Sequence, residues 1–166
     1  NDKIFARVSP VIISKSHPLA NVEDVFNAIL VSGNAIGDVM FYGRGAGKLP
    51  TASAVVADII DIVKHSDNGG RNVWEKKDYN NVIDIGESET RFFVRAATEN
   101  NKEAKNRIMS IFGNVEFIKL ERPEFEDEIA FVTMKSTEKD LSAKVDLLKE
   151  ADAINGIKNI IRVEGE

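Results

Sequence analysis

The apolar positions of this chain change period along its length, and the change divides it. Residues 4–13 are rich in β-forming residues, with Pro10 restricting them to a sheet edge or a bulge because proline has no N–H for a ladder. His17-Pro18-Leu19-Ala20 reads as a turn, with Asn21 as a helix cap before Val22–Phe26. Asn27–Ser32 and Ile36–Tyr42 read as two strands of a hairpin closed at Gly33-Asn34. Thr51–Lys64 then takes helical spacing. Val55, Ile59 and Ile62 recur along it with Val56 and Ile60 beside them, so much of this helix is expected to be buried.

From His65 the periodicity stops. Ser66-Asp67-Asn68-Gly69-Gly70-Arg71-Asn72 is turn chemistry and the stretch after it is polar, so residues 66–88 read as a linker, with Trp74 as its anchor onto a domain. Beyond Ser88 a repeated unit appears. Thr90–Ala97 is a strand, Lys102–Phe112 a helix with Ala104, Ile108, Ile111 and Phe112 on one face, and Val115–Leu120 a strand. Ile129–Met134, a helix with Leu141, Val145 and Leu148 inward, and Ile157–Val163 repeat that order. Thr137 with Asp140 three residues later marks the second helix start. The sequence βαββαβ predicts a ferredoxin-like layer of helices on one antiparallel sheet.

The chemistry concentrates before the first long helix. In Gly43-Arg44-Gly45-Ala46-Gly47-Lys48-Leu49-Pro50-Thr51, alternating glycines let backbone approach a ligand, and the following helix start offers unpaired N–H groups to an anion. The spacing fits neither common nucleotide fingerprint. One residue separates Gly45 from Gly47 where the dinucleotide motif has two, and Leu49 follows Lys48 where the P-loop has Ser or Thr. Spacing alone leaves a phosphate cradle and a packed strand-to-helix turn equally open.

The words around the loop are more restrictive. His17-Pro18-Leu19-Ala20, Phe26-Asn27-Ala28 and the phrase from Phe41-Tyr42-Gly43 through Gly45-Ala46-Gly47 and Pro50-Thr51-Ala52-Ser53-Ala54-Val55 to Asp58-Ile59 resemble the end of the catalytic region of homoserine dehydrogenase. The resemblance covers about the first 65 residues. It implies an α+β chain: residues 1–65 as the C-terminal portion of a mixed α/β catalytic domain, 66–88 as linker, and 89–166 as a regulatory ACT domain of the ferredoxin-like kind. It also implies a parent oxidoreductase that interconverts L-aspartate semialdehyde and L-homoserine with NAD(P), on the route to threonine and methionine. The abrupt start without an initiator Met reads as a fragment, with the nicotinamide-binding domain and the catalytic lysine and acidic residues expected upstream of Asn1. No catalytic residue is therefore assigned in this chain, and no bound cofactor is expected on it alone.

The resemblance directs the loop toward the cofactor. Gly47 is expected to make the backbone contact, Gly43, Gly45 and Ala46 to shape the turn, and Thr51 to cap its helix. In the ACT portion an amino-acid effector, threonine by analogy, is expected where the first strand meets the first helix, at Thr98, Glu99, Asn100 and Asn101. There the chain departs from the family phrase Asp-x-Pro-Gly-Val-Leu, since Lys102 and Glu103 stand where Pro and Gly should be. A glutamate in place of that glycine adds bulk and negative charge beside a site for a carboxylate. The competing role is assembly. Phe93 shares a strand face with Arg91 and Arg95, opposite Phe92, so a homodimer through this domain would cover it.

Charge and composition exclude other classes. A net charge of −5 argues against a nucleic-acid partner. The apolar runs are too short for a membrane span, and the lack of cysteine fits a cytoplasmic protein and removes thiol chemistry. His17 and His65 are far apart and Asp58 and Asp61 suit a solvated helix face, so no metal site is assigned. The alternative of another class is a stand-alone ACT-type module that binds an amino acid or only dimerises.

Overall fold

A computed structural model describes residues 3–66, 81–120 and 127–164. Trp74 and most of the expected linker lie outside these residues. The described chain separates into two units, one formed by residues 14–66 and the other by 3–13 together with 81–164.

The larger unit is built on β4 (Glu89–Ala97), α2 (Asn101–Phe112), β5 (Val115–Ile118), β6 (Glu128–Thr133), the two-residue β7 (Ser136–Thr137), α3 (Glu138–Lys149) and β8 (Gly156–Val163). Its order is the expected βαββαβ. The short strand β1 (Val11–Ile12) joins the edge, so the main path runs β1-β8-β4-β6-β5, with β7 pairing to β4. β1 is parallel to β8 while the other pairs are antiparallel, which makes the sheet mixed. Pro10 sits just before that edge strand, where its missing N–H removes no central ladder bond. The first residues and the end of the expected linker meet here as well. Ile4 bridges Val82 in parallel, and Asp84 caps a short 3-10 turn over Ile85–Glu87 by accepting from Gly86 N at 2.8 Å.

Alternation on β4 sets the core. Thr90, Phe92, Val94 and Ala96 are buried and Arg91, Phe93, Arg95 and Ala97 half-buried, because successive side chains point to opposite faces of the pleat. The buried row packs on Ala104 and Ile108 of α2 and Leu141, Val145 and Leu148 of α3. Phe131 lies fully buried between two rings, edge-on to Phe112 at 5.2 Å and tilted to Phe117 at 6.3 Å. Thr137 caps α3, its Oγ1 accepting from Asp140 N at 3.3 Å. On the flank of this core Glu138 accepts from Arg162 through both carboxylate oxygens, an ion pair that is mostly shielded from solvent.

The smaller unit has a different economy. β2 (Phe26–Gly33) and β3 (Gly37–Arg44) pair in antiparallel register from Phe26↔Arg44 to Gly33↔Gly37, and Gly37 takes a φ of 70° at the turn. The expected helix over Val22–Phe26 does not form. A 3-10 turn over Pro18–Asn21 ends at Val22, Asp24 adopts a φ of 55°, and Phe26 is drawn into the hairpin against Arg44. α1 spans Lys48–Lys64, and the expectation that it is largely buried is not met: none of its residues is buried. Ile59 is 54% exposed and Val63 70%. The apolar spacing that announces a buried helix is present, but among the described residues its surface is uncovered.

Candidate functional site

The glycine-rich segment connects β3 to α1. Gly43 and Arg44 still belong to β3, Gly45 and Ala46 form the connection, and Gly47 stands at the N-cap position of α1 with φ 126° and ψ 149°. A residue with a side chain would be strained at that φ, so glycine is required there. No side chain caps the helix, and Thr51 is not the cap that the sequence suggests. Its backbone N–H instead donates to Gly47 O at 3.1 Å, closing the first turn. The helix begins at Lys48 because Pro50 falls in the first turn, where a missing N–H costs nothing.

The glycines of the loop differ in their surroundings. A side chain on Gly43 would meet nothing within 4 Å, whereas one on Gly45 would strike the Asn27 side chain, 1.7 Å from Nδ2 and 2.7 Å from Cγ. Asn27 is the register partner of Gly43 on β2. Beside it Phe26 stacks on Tyr42, with ring centroids 4.8 Å apart and planes within 9°, and the Arg44 guanidinium lies 5.2 Å over Phe26. The hairpin end thus meets the loop through Asn27, with open space at Gly43, while at Gly47 the Pro50 ring lies 3.3 Å from where a Cβ would stand. Sequence reasoning singled out the glycines and missed Asn27, whose only signal was its place in Phe26-Asn27-Ala28.

The expected effector residues lie on the other unit, and most are already engaged. Thr98 is buried and donates from Oγ1 to Ala153 O at 2.7 Å, while that same oxygen accepts from Asn100 N at 3.1 Å. Glu99 accepts from Asn155 Nδ2 at 3.1 Å. Asn100 caps α2, its Oδ1 accepting from Glu103 N at 3.1 Å and its Nδ2 donating to Glu103 Oε2 at 3.2 Å. Glu103, out of place in the family phrase, is held to the Asn100 side chain both by its backbone N–H and by its carboxylate. Asn101 opens α2 with an exposed side chain.

A wide groove of about 1020 Å³ lies on the same unit away from Thr98–Asn101, lined among others by Phe5, Arg7, Arg91, Glu116, Val132 and Val163. Its charges are largely internal pairs, Arg7 with Glu164 and Lys135 with Glu89. His17 and His65 have local duties: His17 Nδ1 accepts from Leu19 N at 3.2 Å, and His65 lies 3.0 Å from Asp61 at the end of α1. No cluster of metal-ligating side chains occurs among the described residues, and no helix there is long and apolar enough to cross a membrane.

Residues 3–60 match the homoserine dehydrogenase family model. Over 97% of its length the chain is 37% identical to homoserine dehydrogenase of Corynebacterium glutamicum, and a 66-residue stretch is 56% identical to that of Lactococcus lactis. The crystal structure of a homoserine dehydrogenase from Thiobacillus denitrificans superposes on 99% of the chain with a TM-score of 0.76 at 26% identity. The chain spans 37% of the Corynebacterium protein and 40% of the Thiobacillus chain. A family-model match that takes in the glycine loop, a similarity that continues through both units and a matching mixed α+β fold together place this chain in the homoserine dehydrogenase family.

Proposed function

We propose that the chain is the closing segment of an NAD(P)-dependent homoserine dehydrogenase, with residues 1–65 completing the catalytic domain and 89–166 forming an ACT-type regulatory domain. The observation that carries this reading is α1, a helix apolar on several sides that follows a glycine-rich loop and has no buried residue. A surface of this kind needs a cover, and relatives more than twice as long have the chain to supply one.

The parent reaction would reduce L-aspartate semialdehyde to L-homoserine, which takes a hydride at the aldehyde carbon and a proton at its oxygen. The cofactor supplies the hydride. What this chain contributes is orientation. Gly43 and Gly47 offer side-chain-free backbone, and the first turn of α1 offers unpaired N–H groups, which suits a polar edge of the cofactor. Proton transfer and homoserine binding belong to residues outside this segment, so the segment alone is expected to be inactive.

The test is direct. The full-length gene product should reduce NAD⁺ or NADP⁺ with L-homoserine, read by the absorbance of the reduced nicotinamide, and the segment alone should not. A full-length product inactive with both cofactors overturns the reading.

For the ACT-type unit, assembly is the better supported role. Thr98, Glu99 and Asn100 already have partners within the chain, while the helix-free sheet face carries a half-buried row of Ile161, Phe93 and Val132 in register, with Arg91, Arg95, Glu116 and Glu128 around it. Mixed charge around an apolar row suits a second copy, and a cytoplasmic homodimer belongs to the same proposal. Light scattering should give a dimer and calorimetry no saturable threonine binding. Saturable threonine uptake would reverse the order of these two roles.

A further inference from the structure

We propose that Asn27 is a positioning residue for the glycine-rich loop: its carboxamide supports the backbone at Gly45 and thereby sets where Gly47 and the first turn of α1 stand. The proposal rests on the reading of that loop as cofactor-facing, and deepens it by assigning a role to a side chain that touches the loop rather than the ligand.

The argument begins with two glycines that are glycine for different reasons. Gly47 needs its φ of 126° whatever surrounds it. Gly45 has no such dihedral, yet a Cβ there would lie 1.7 Å from Asn27 Nδ2 and 2.7 Å from Cγ, far inside contact distance. The close approach is to a neighbouring side chain, not to open space. Gly43, two residues earlier and directly opposite Asn27 in the ladder, has open space around its would-be Cβ. Asn27 therefore leans past its own register partner onto the chain that has just left the strand.

Its anchorage is firm on the strand side. Asn27 lies in the β2 ladder beside Phe26, which is fixed by the Tyr42 ring and the Arg44 guanidinium. The loop by contrast has no side-chain cap at the start of α1. A flat amide against bare backbone is the contact that ties an uncapped helix start to a paired strand. Displacing reacting groups by about 1 Å can cost a hundredfold in rate, so a support of this kind bears on function even without touching cofactor.

The experiment is a double-mutant cycle in the full-length enzyme, with the dissociation constants for NADH and NADPH measured by fluorescence, the cofactor KM and kcat measured separately, and folding checked by thermal melting. Gly45→Ala should weaken cofactor binding by about tenfold or more and Asn27→Ala by about threefold, with the loss falling on cofactor KM more than on kcat. The diagnostic variant is Gly45→Ala with Asn27→Ala. Removing the amide leaves only the Asn27 Cβ, 3.2 Å from the new methyl, so the double variant should bind cofactor better than Gly45→Ala alone. A merely structural defect would lower the melting point without this rescue. Gly47→Val serves as the control on the parent reading. If Gly47→Val weakens cofactor and the Asn27 and Gly45 effects simply multiply, the positioning role is overturned and the cofactor-facing loop stands. If Gly47→Val leaves cofactor affinity unchanged, the loop reading falls and the positioning role with it.

Discussion

α1 and the pair α2 and α3 make an instructive contrast. By sequence α1 is the more apolar, with Val55, Val56, Ile59, Ile60, Ile62 and Val63 along it, yet every one of these is about half exposed or more. α2 and α3 are more polar, and they bury Ala104, Ile108, Leu141, Val145 and Leu148 almost completely. An apolar stripe states what a helix will bury if a partner exists, and the partner is a separate fact. In the βαββαβ unit the partner is the face of the sheet formed by β4 and β6. For α1 it is not among the described residues.

The contrast can be broken or sharpened by measurement. Phe131→Ala should cost about 3–5 kcal/mol of unfolding free energy in chemical denaturation, since it empties a fully enclosed site between two rings. Glu138→Ala comes next. It leaves the shielded Arg162 guanidinium without its carboxylate, and the expected loss is about 1.5–3 kcal/mol by the same assay, little changed by salt. Thr98→Val removes the partner of both the Ala153 carbonyl and the Asn100 N–H in a part-buried corner, for about 1–2 kcal/mol.

Ile59→Ala in the segment alone should change stability by less than about 0.5 kcal/mol, because the side chain has little contact to lose. A cost similar to that of Phe131→Ala would mean that α1 is covered in solution, and the contrast would collapse. The smallest effect concerns pH. Hydrogen bonds from Lys144 and Ser136 hold the Asp140 carboxyl below its ordinary 3.8, so the folded state favours the charged form. That contribution is present at neutral pH and fades as pH falls through the depressed value. Asp140→Asn should therefore flatten the acid limb of the stability curve slightly, while leaving α1 untouched.

Much of the larger unit was legible because its signals are local. The β-rich run Thr90–Ala97, three-and-four spacing at Ala104, Ile108, Ile111 and Phe112, and the Thr137 to Asp140 cap each depend on residues within one turn or one short run. The glycine loop was legible for the same reason. Val22–Phe26 misled because a good cap and a short apolar run cannot outweigh eight ladder pairs that recruit Phe26 into a hairpin. Glu103 reads in the sequence as a departure from an effector loop, and in the fold it is the first-turn partner of the Asn100 cap.

The sequence by itself determined the two periodicities, the hairpin, the βαββαβ order and the glycines ahead of α1, since each follows from backbone geometry at short range. Only the tertiary structure decided that residues 11–12 add a parallel edge to β8, that α1 is uncovered among the described residues, and that Asn27 lies against Gly45. These depend on groups far apart in the chain, or on the absence of a partner, and no local pattern of hydrophobic and polar residues encodes which distant surface comes to rest against which.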